Sequence, residues 1–117
     1  MSYPDTKMIC VSNLWLRQMH FEKAGDFNEG HTHNFDHITL LARGSVTVDV
    51  NNEKTDFTAP HMIFIAKGKP HFLTAKEDGT LAYCVHALRS GEREEDILDP
   101  SMIPNGIDNI FTVAKHL

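Results

Sequence analysis

Residues 25–44 read GDFNEGHTHNFDHITLLARG, and this stretch decides the fold. It carries three of the chain's eight histidines, His31, His33 and His37, and a fourth, His71, stands further on. The four are the expected ligands of one divalent metal inside a small β-barrel. Zinc–nitrogen bonds are ~2.0–2.1 Å long, so imidazoles sharing a metal must converge within a few ångströms. A helix cannot gather the first three, because at about 100° per residue His31 and His33 stand roughly 200° apart. On a strand all three share parity and face. A straight strand would still spread them over about 20 Å at ~3.3 Å per residue. The chain must therefore bend between His33 and His37. Asn34-Phe35-Asp36 suits a bend, since Asn and Asp tolerate turn conformations. A neighbouring strand then supplies the fourth ligand. The HxHxDH signature of metallo-β-lactamase-type hydrolases does not fit: the spacing here is HxHxxDH, and that fold needs alternating helices, which this sequence lacks.

Outward from this stretch, the chain reads as short strands between turns. Residues 1–6 are polar with Pro4 and are expected to be loose or to lie on the surface. MICVSNLWLRQMHF is apolar and β-branched, broken into two strands near Asn13. In the second, Leu14, Leu16, Gln18 and His20 share one face; Trp15, Arg17, Met19 and Phe21 share the other. Residues 22–30 form a turn-rich loop. His31 to Ala42 reads as strand, Ser45 to Val50 alternates cleanly, Asn51-Asn52 is a hairpin signal, and Lys54 to Ala59 returns. Met62–Ala66, His71–Lys76 and Thr80–Leu88 follow, separated by Lys67–Pro70 and by Asp78-Gly79. After Arg89 the chain is charged and carries two prolines, so residues 91–117 read as a C-terminal extension. Turn signals every eight to twelve residues suggest an all-β sandwich or barrel.

The totals agree with a single domain of 117 residues whose core spans 14–90. Net charge is −5, so there is no basic footprint for nucleic acid and no pull toward anionic membrane. No apolar run approaches the ~20 residues of a membrane span. The N-terminus has no signal-peptide pattern. The two cysteines, Cys10 and Cys84, form no CxxC pair, and buried free thiols in a reducing compartment are expected. A cytoplasmic protein is the default reading.

The histidine stretch resembles a cupin motif. The first such motif runs G-x5-H-x-H-x3-E-x6-G; Gly25, His31, His33, His37 and Gly44 meet that spacing, with His37 where most cupins have Glu. The second, G-x5-P-x-G-x2-H-x3-N, is met loosely by residues 60–75: Gly68 and His71 hold their places, while Pro60, Ala66 and Ala75 replace Gly, Pro and Asn. The resemblance covers residues 14–90. FTAPHMIFI and AYCVHALR are also similar to stretches of small cupins from marine bacteriophages, which would put the protein in a host cytoplasm.

The resemblance implies a double-stranded β-helix, or jelly-roll, barrel with His31, His33, His37 and His71 around one metal. Four neutral imidazoles leave the ion's charge uncompensated, which favours anionic ligands, and two adjacent positions stay open. Imidazole suits zinc, copper, iron and nickel; the resemblance adds manganese. With His31 and His33 inward, Gln18 and His20 would line the pocket, with Tyr83, Val85 and Ala87 on the far wall. Gln18, His20 and Tyr83 are then the candidate catalytic groups. His86 has the opposite parity and is left out. His61 is expected at a turn.

The implied activity is dioxygenase-like chemistry on a small metal-chelating substrate. The missing carboxylate keeps an alternative open, the capture of a small anionic metabolite without reaction. A metal-stabilised fold without ligand is a third reading. Trp15, Met19 and Phe21, read as an outer face, predict a homodimer.

Overall fold

Alternation of apolar and polar residues sets the strands. The computed structural model describes residues 2–11, 13–28, 37–66, 68 and 70–87, without the side chains of Cys10, Val11 and His37. Nine strands follow in order: β1 (Asp5–Val11), β2 (Leu14–Phe21), β3 (Phe27–Asn28), β4 (His37–Arg43), β5 (Ser45–Val50), β6 (Glu53–Thr58), β7 (His61–Ile65), β8 (His71–Ala75) and β9 (Thr80–Ala87). They form a five-stranded sheet, β1-β2-β9-β4-β7, and a four-stranded sheet, β3-β8-β5-β6. Every pairing is antiparallel. The expected all-β class holds. Residues 91–117 and the expected bend at Asn34–Asp36 lie outside the described residues.

Turn chemistry sits where the sequence suggests. Asn51 and Asn52 both have positive φ, 51° and 67°, which matches the twist of a tight β5–β6 hairpin. Gly44 turns β4 into β5 at φ 83° against Thr80; a Cβ there would overlap Thr80 Oγ1 and come within 2.9 Å of Thr80 Cα. This position accepts only glycine, because the backbone of β9 passes directly beneath it.

Of the two expectations for the N-terminus, the second holds: it lies docked on the surface rather than loose. Asp26 is buried, and its carboxylate accepts from the Ser2 amide (3.0 Å), the Ser2 hydroxyl (3.0 Å) and the Lys23 amide (3.1 Å). The Phe27 amide donates to the Ser2 carbonyl at 3.0 Å. These bonds seat β1 on the edge of β2 from Asp5 onward.

Both sheets turn one face inward. Phe21, Met19, Leu41, Val46, Ala75 and Ala82 are buried at one end of the interior. Full burial of a side chain such as Phe21 stabilises the fold by roughly 1.5–3 kcal/mol. Burial alternates in β2, with Trp15, Arg17, Met19 and Phe21 inside and Leu14, Leu16, Gln18 and His20 more exposed. The expected facing of β2 is thus reversed, and Trp15, Met19 and Phe21 are core rather than outer surface. Both rows of LWLRQMHF are apolar enough to be buried. The row with the larger side chains takes the interior, because it removes more area from water.

Candidate metal and ligand site in the barrel interior

Moving from the Phe21 end, β2, β9 and β4 add polar side chains to an interior that stays apolar on β5 and β7. On β2, Phe21 and Met19 give way to Arg17 and Trp15; on β9, Ala82 gives way to Cys84 and His86; on β4, Leu41 gives way to Thr39. Register keeps these levels aligned: Arg17 opposes Cys84, Trp15 opposes His86, and Thr39 opposes Cys84. Thr39 Oγ1 lies 3.7 Å from Cys84 Sγ, and Arg17 Nη2 donates to Asn28 Oδ1 at 3.0 Å across the two sheets. On β8, His71 is 3 % exposed and shares the inner face with Leu73 and Ala75. It pairs with Val50, at the end of β5 away from the Gly44 turn.

Burial governs the charges here. It pushes the Cys84 thiol up, against the opposing pull of Arg17 and of Thr39's hydrogen bond. It also pulls the Arg17 guanidinium below its ordinary value, although a guanidinium stays protonated. Cys84 is free and buried, as expected.

Of the four expected ligands, His71 is described in full. His37 opens β4 opposite Ile65, and the alternate residues after it, Thr39 and Leu41, are buried. His31 and His33 lie outside the described residues, as does the His37 side chain. Among the described residues, no three His, Cys, Asp or Glu side chains group as a metal site. The one described donor, His71, is of a kind that ligates divalent transition metals. This buried imidazole lies at the end of the interior that also holds Asn28 and the start of β4.

The three candidate catalytic groups are placed elsewhere. Tyr83 Oη donates to Gln18 Oε1 at 3.1 Å, and both are half-buried on the face turned away from the core. His20 lies on that face too, 3.9 Å from Asp5 and too far for a hydrogen bond. Val85 and Ala87 share it, so the expected far wall is corrected to Cys84 and His86. The cause is one reversal passed through pairing: directly opposed residues share a face, so the facing of β2 determines that of β9. His61 begins β7, exposed, with its ring 4.7 Å from that of Phe57. The interior groups that sequence reasoning missed are Arg17, Trp15, Asn28 and His86. The available signal was the Trp-Met-Phe row, which carries Arg17 inside with it.

A family model described as the AraC-like ligand binding domain matches residues 22–109. The chain belongs to this family. It is a small-molecule-binding cupin, and solved structures agree on its fold. KdgF from Halomonas sp. superposes with a TM-score of 0.65 at 20% identity, over 77% of this chain and 80% of that one. A cupin superfamily protein from Desulfitobacterium hafniense gives 0.64 at 13% identity, over 73% and 77%. An RmlC-like cupin with a double-stranded β-helix fold from Methanocaldococcus jannaschii gives 0.65 at 9% identity, over 73% and 80%. At these identities the likeness is one of fold. No curated protein matches the chain in sequence. This cupin therefore has the double-stranded β-helix that its motifs imply. Among its described residues, no helix is long and apolar enough to cross a membrane.

Proposed function

We propose that this cupin holds one divalent transition metal through His31, His33, His37 and His71 and acts on a small metal-chelating substrate with dioxygenase-like chemistry. His71 carries the reading: an imidazole 3 % exposed, inward on its strand, at the end of the interior that holds Asn28 and the start of β4. A bound metal would supply Lewis acidity and, if redox-active, electron transfer to dioxygen. The chain's own contribution would be a mostly apolar interior that keeps water away and a polar level, Arg17, Thr39 and Cys84, to orient a ligand. Manganese, iron, nickel, zinc and copper are the candidate metals. Elemental analysis of the purified protein tests the metal. Aerobic and anaerobic turnover of chelating enols, with each metal loaded, tests the chemistry. A metal-free protein, or no turnover with any metal, refutes the corresponding half.

A second reading is the binding of a small anionic metabolite without reaction. The observation in its favour is that the interior holds the Arg17 cation, while Asp26, the buried acid among the described residues, is engaged by Ser2 and Lys23. Ligand-dependent thermal stabilisation with no product formed supports it; product formation refutes it.

A homodimer is proposed through the outer face of the larger sheet. Leu16, Val85, Ile38 and Phe64 stand in one cross-strand row, with Ile38 43% and Phe64 67% exposed. A continuous apolar row on an outer sheet face suits a second copy of itself. The free, buried Cys84 supports a reducing compartment such as the cytoplasm.

A further inference from the structure

The polar level of the interior holds donors that its neighbours do not accept. Arg17 is 3 % exposed and Trp15 is 2 % exposed, two residues apart on one face of β2 and therefore about 7 Å apart. Arg17 Nη2 is satisfied by Asn28, but among the described residues Arg17 Nε and Trp15 Nε1 have no hydrogen-bond partner. Buried donors without acceptors are rare in native proteins, and two side by side ask for an explanation.

The charge is as unbalanced as the hydrogen bonding. The ion pairs among the described residues are His20–Asp5 and Lys76–Asp56, and neither includes Arg17. Cys84 opposes Arg17, but burial pushes its thiol up, so it stays neutral near pH 7 and offers no counter-charge. Asn28 is neutral. A buried cation without a counter-ion costs stability unless an occupant supplies the charge.

We propose that Arg17 and Trp15 form an anion receptor inside the barrel, which takes a carboxylate group of a small-molecule ligand. Water would satisfy the two N–H groups and leave the charge. A phosphate dianion would bring two charges against one guanidinium. A carboxylate brings one charge and two acceptor oxygens in the plane that a guanidinium edge prefers. The low local dielectric strengthens each bond. The proposal rests on the reading of the interior as the ligand chamber and does not require the metal.

The chain's single tryptophan is Trp15, so its fluorescence reports on the receptor directly. The probes are acetate and malonate, with acetamide and malonamide as neutral counterparts. The full chain is used as purified, and again after metal removal with phenanthroline, which carries no carboxylate, followed by dialysis. The carboxylates are expected to shift Trp15 emission saturably and raise Tm in both forms, and the amides to do neither. Arg17→Met should weaken carboxylate binding about 10- to 100-fold, the loss expected for a charge-assisted pair. If Arg17→Met does not fold, Arg17→Lys provides the test: it keeps the charge, loses the planar fork, and should bind about 10-fold more weakly. A wild-type protein whose Trp15 emission ignores the carboxylates overturns the proposal, as does a folded Arg17 variant that binds them as wild type does. A response abolished by metal removal and untouched by the Arg17 variants belongs to the metal; it overturns the receptor while upholding the metal reading. A response that survives metal removal and falls in the Arg17 variants upholds the receptor whatever the metal assays give.

Discussion

Replacing Gly44 by alanine tests whether the close approach of β9 to the β4–β5 turn carries energy. Two costs act at this position. The first is conformational: φ is 83°, and a Cβ in left-handed backbone costs about 1–2 kcal/mol. The second is steric: the new methyl would overlap Thr80 Oγ1 and lie 2.9 Å from Thr80 Cα. Rotating the threonine relieves the first clash and leaves the second, because Cα belongs to the backbone of a fully buried residue. Overpacking of this kind costs about 1–3 kcal/mol. The sum is about 2–5 kcal/mol. Gly68 is the control, with a similar φ of 77° and nothing within 4 Å of a Cβ, so Gly68→Ala should cost only the conformational part. Urea unfolding of the two variants measures both. With a slope of about 1.5 kcal/mol/M, Gly44→Ala should lower the midpoint by roughly 1–3 M. Gly68→Ala should lower it by about 1 M. Equal midpoints for the two variants would refute the steric argument and leave the strictness of Gly44 without a physical cause.

Further outcomes follow from the site and the surface. Metal removal should lower Tm: a metal held at a thousandfold above its Kd stabilises by about 4 kcal/mol, roughly 10–20 °C for a domain of this size. His71→Ala should show the lower Tm and no longer respond to chelator; a chelator without effect on wild type contradicts the metal reading. Asp26 lies below the usual carboxylate range: burial raises it, but the amides of Ser2 and Lys23 and the Ser2 hydroxyl outweigh burial. Its stabilisation is therefore complete above the unfolded value of roughly 4 and is lost as pH falls through the lower folded value. Acid titration by hydrogen exchange should release β1 before the rest of the larger sheet, and Asp26→Asn should remove that pH dependence; a β1 that exchanges with the sheet at every pH counts against it. Phe64→Glu should convert a dimer to a monomer in sedimentation at tens of micromolar with little loss of Tm, since Phe64 is 67% exposed. A monomeric wild type would refute the outer-face dimer.

Much of this was legible from residue order. The alternation of Ser45–Val50 and the turn residues Asn51-Asn52 led directly to β5 and the hairpin beyond it, because both signals are local. His71 was legible through its motif and lies buried on the inner face of its strand. The facing of β2 was not, since Leu14 and Leu16 compete with Trp15, Met19 and Phe21, and periodicity alone does not choose between two apolar rows. That ambiguity reached β9 through its pairing and displaced Gln18 and Tyr83 from the interior. Arg17 was hidden for another reason. A single sequence ranks arginine among the residues least often buried, and only cross-sheet contacts such as that with Asn28 reveal the exception. The docking of Ser2 on Asp26 joins residues 24 positions apart and leaves no local trace.

The contrast between β6 and β9 bears on how this chain can change over time. Apart from Phe57, β6 is exposed along its length, and it closes one edge of the smaller sheet with Glu53, Lys54, Thr55 and Asp56. Its backbone completes a ladder, and Asp56 ties it to Thr47 and Lys76, while Glu53, Lys54 and Thr55 face solvent. β9 sits between β2 and β4 and turns every second residue into the interior. Substitutions should accumulate in β6 as neutral drift and be filtered in β9. New ligand preferences can then arise through rare exchanges at Cys84 or His86, on a scaffold whose outer edge absorbs most of the mutational traffic.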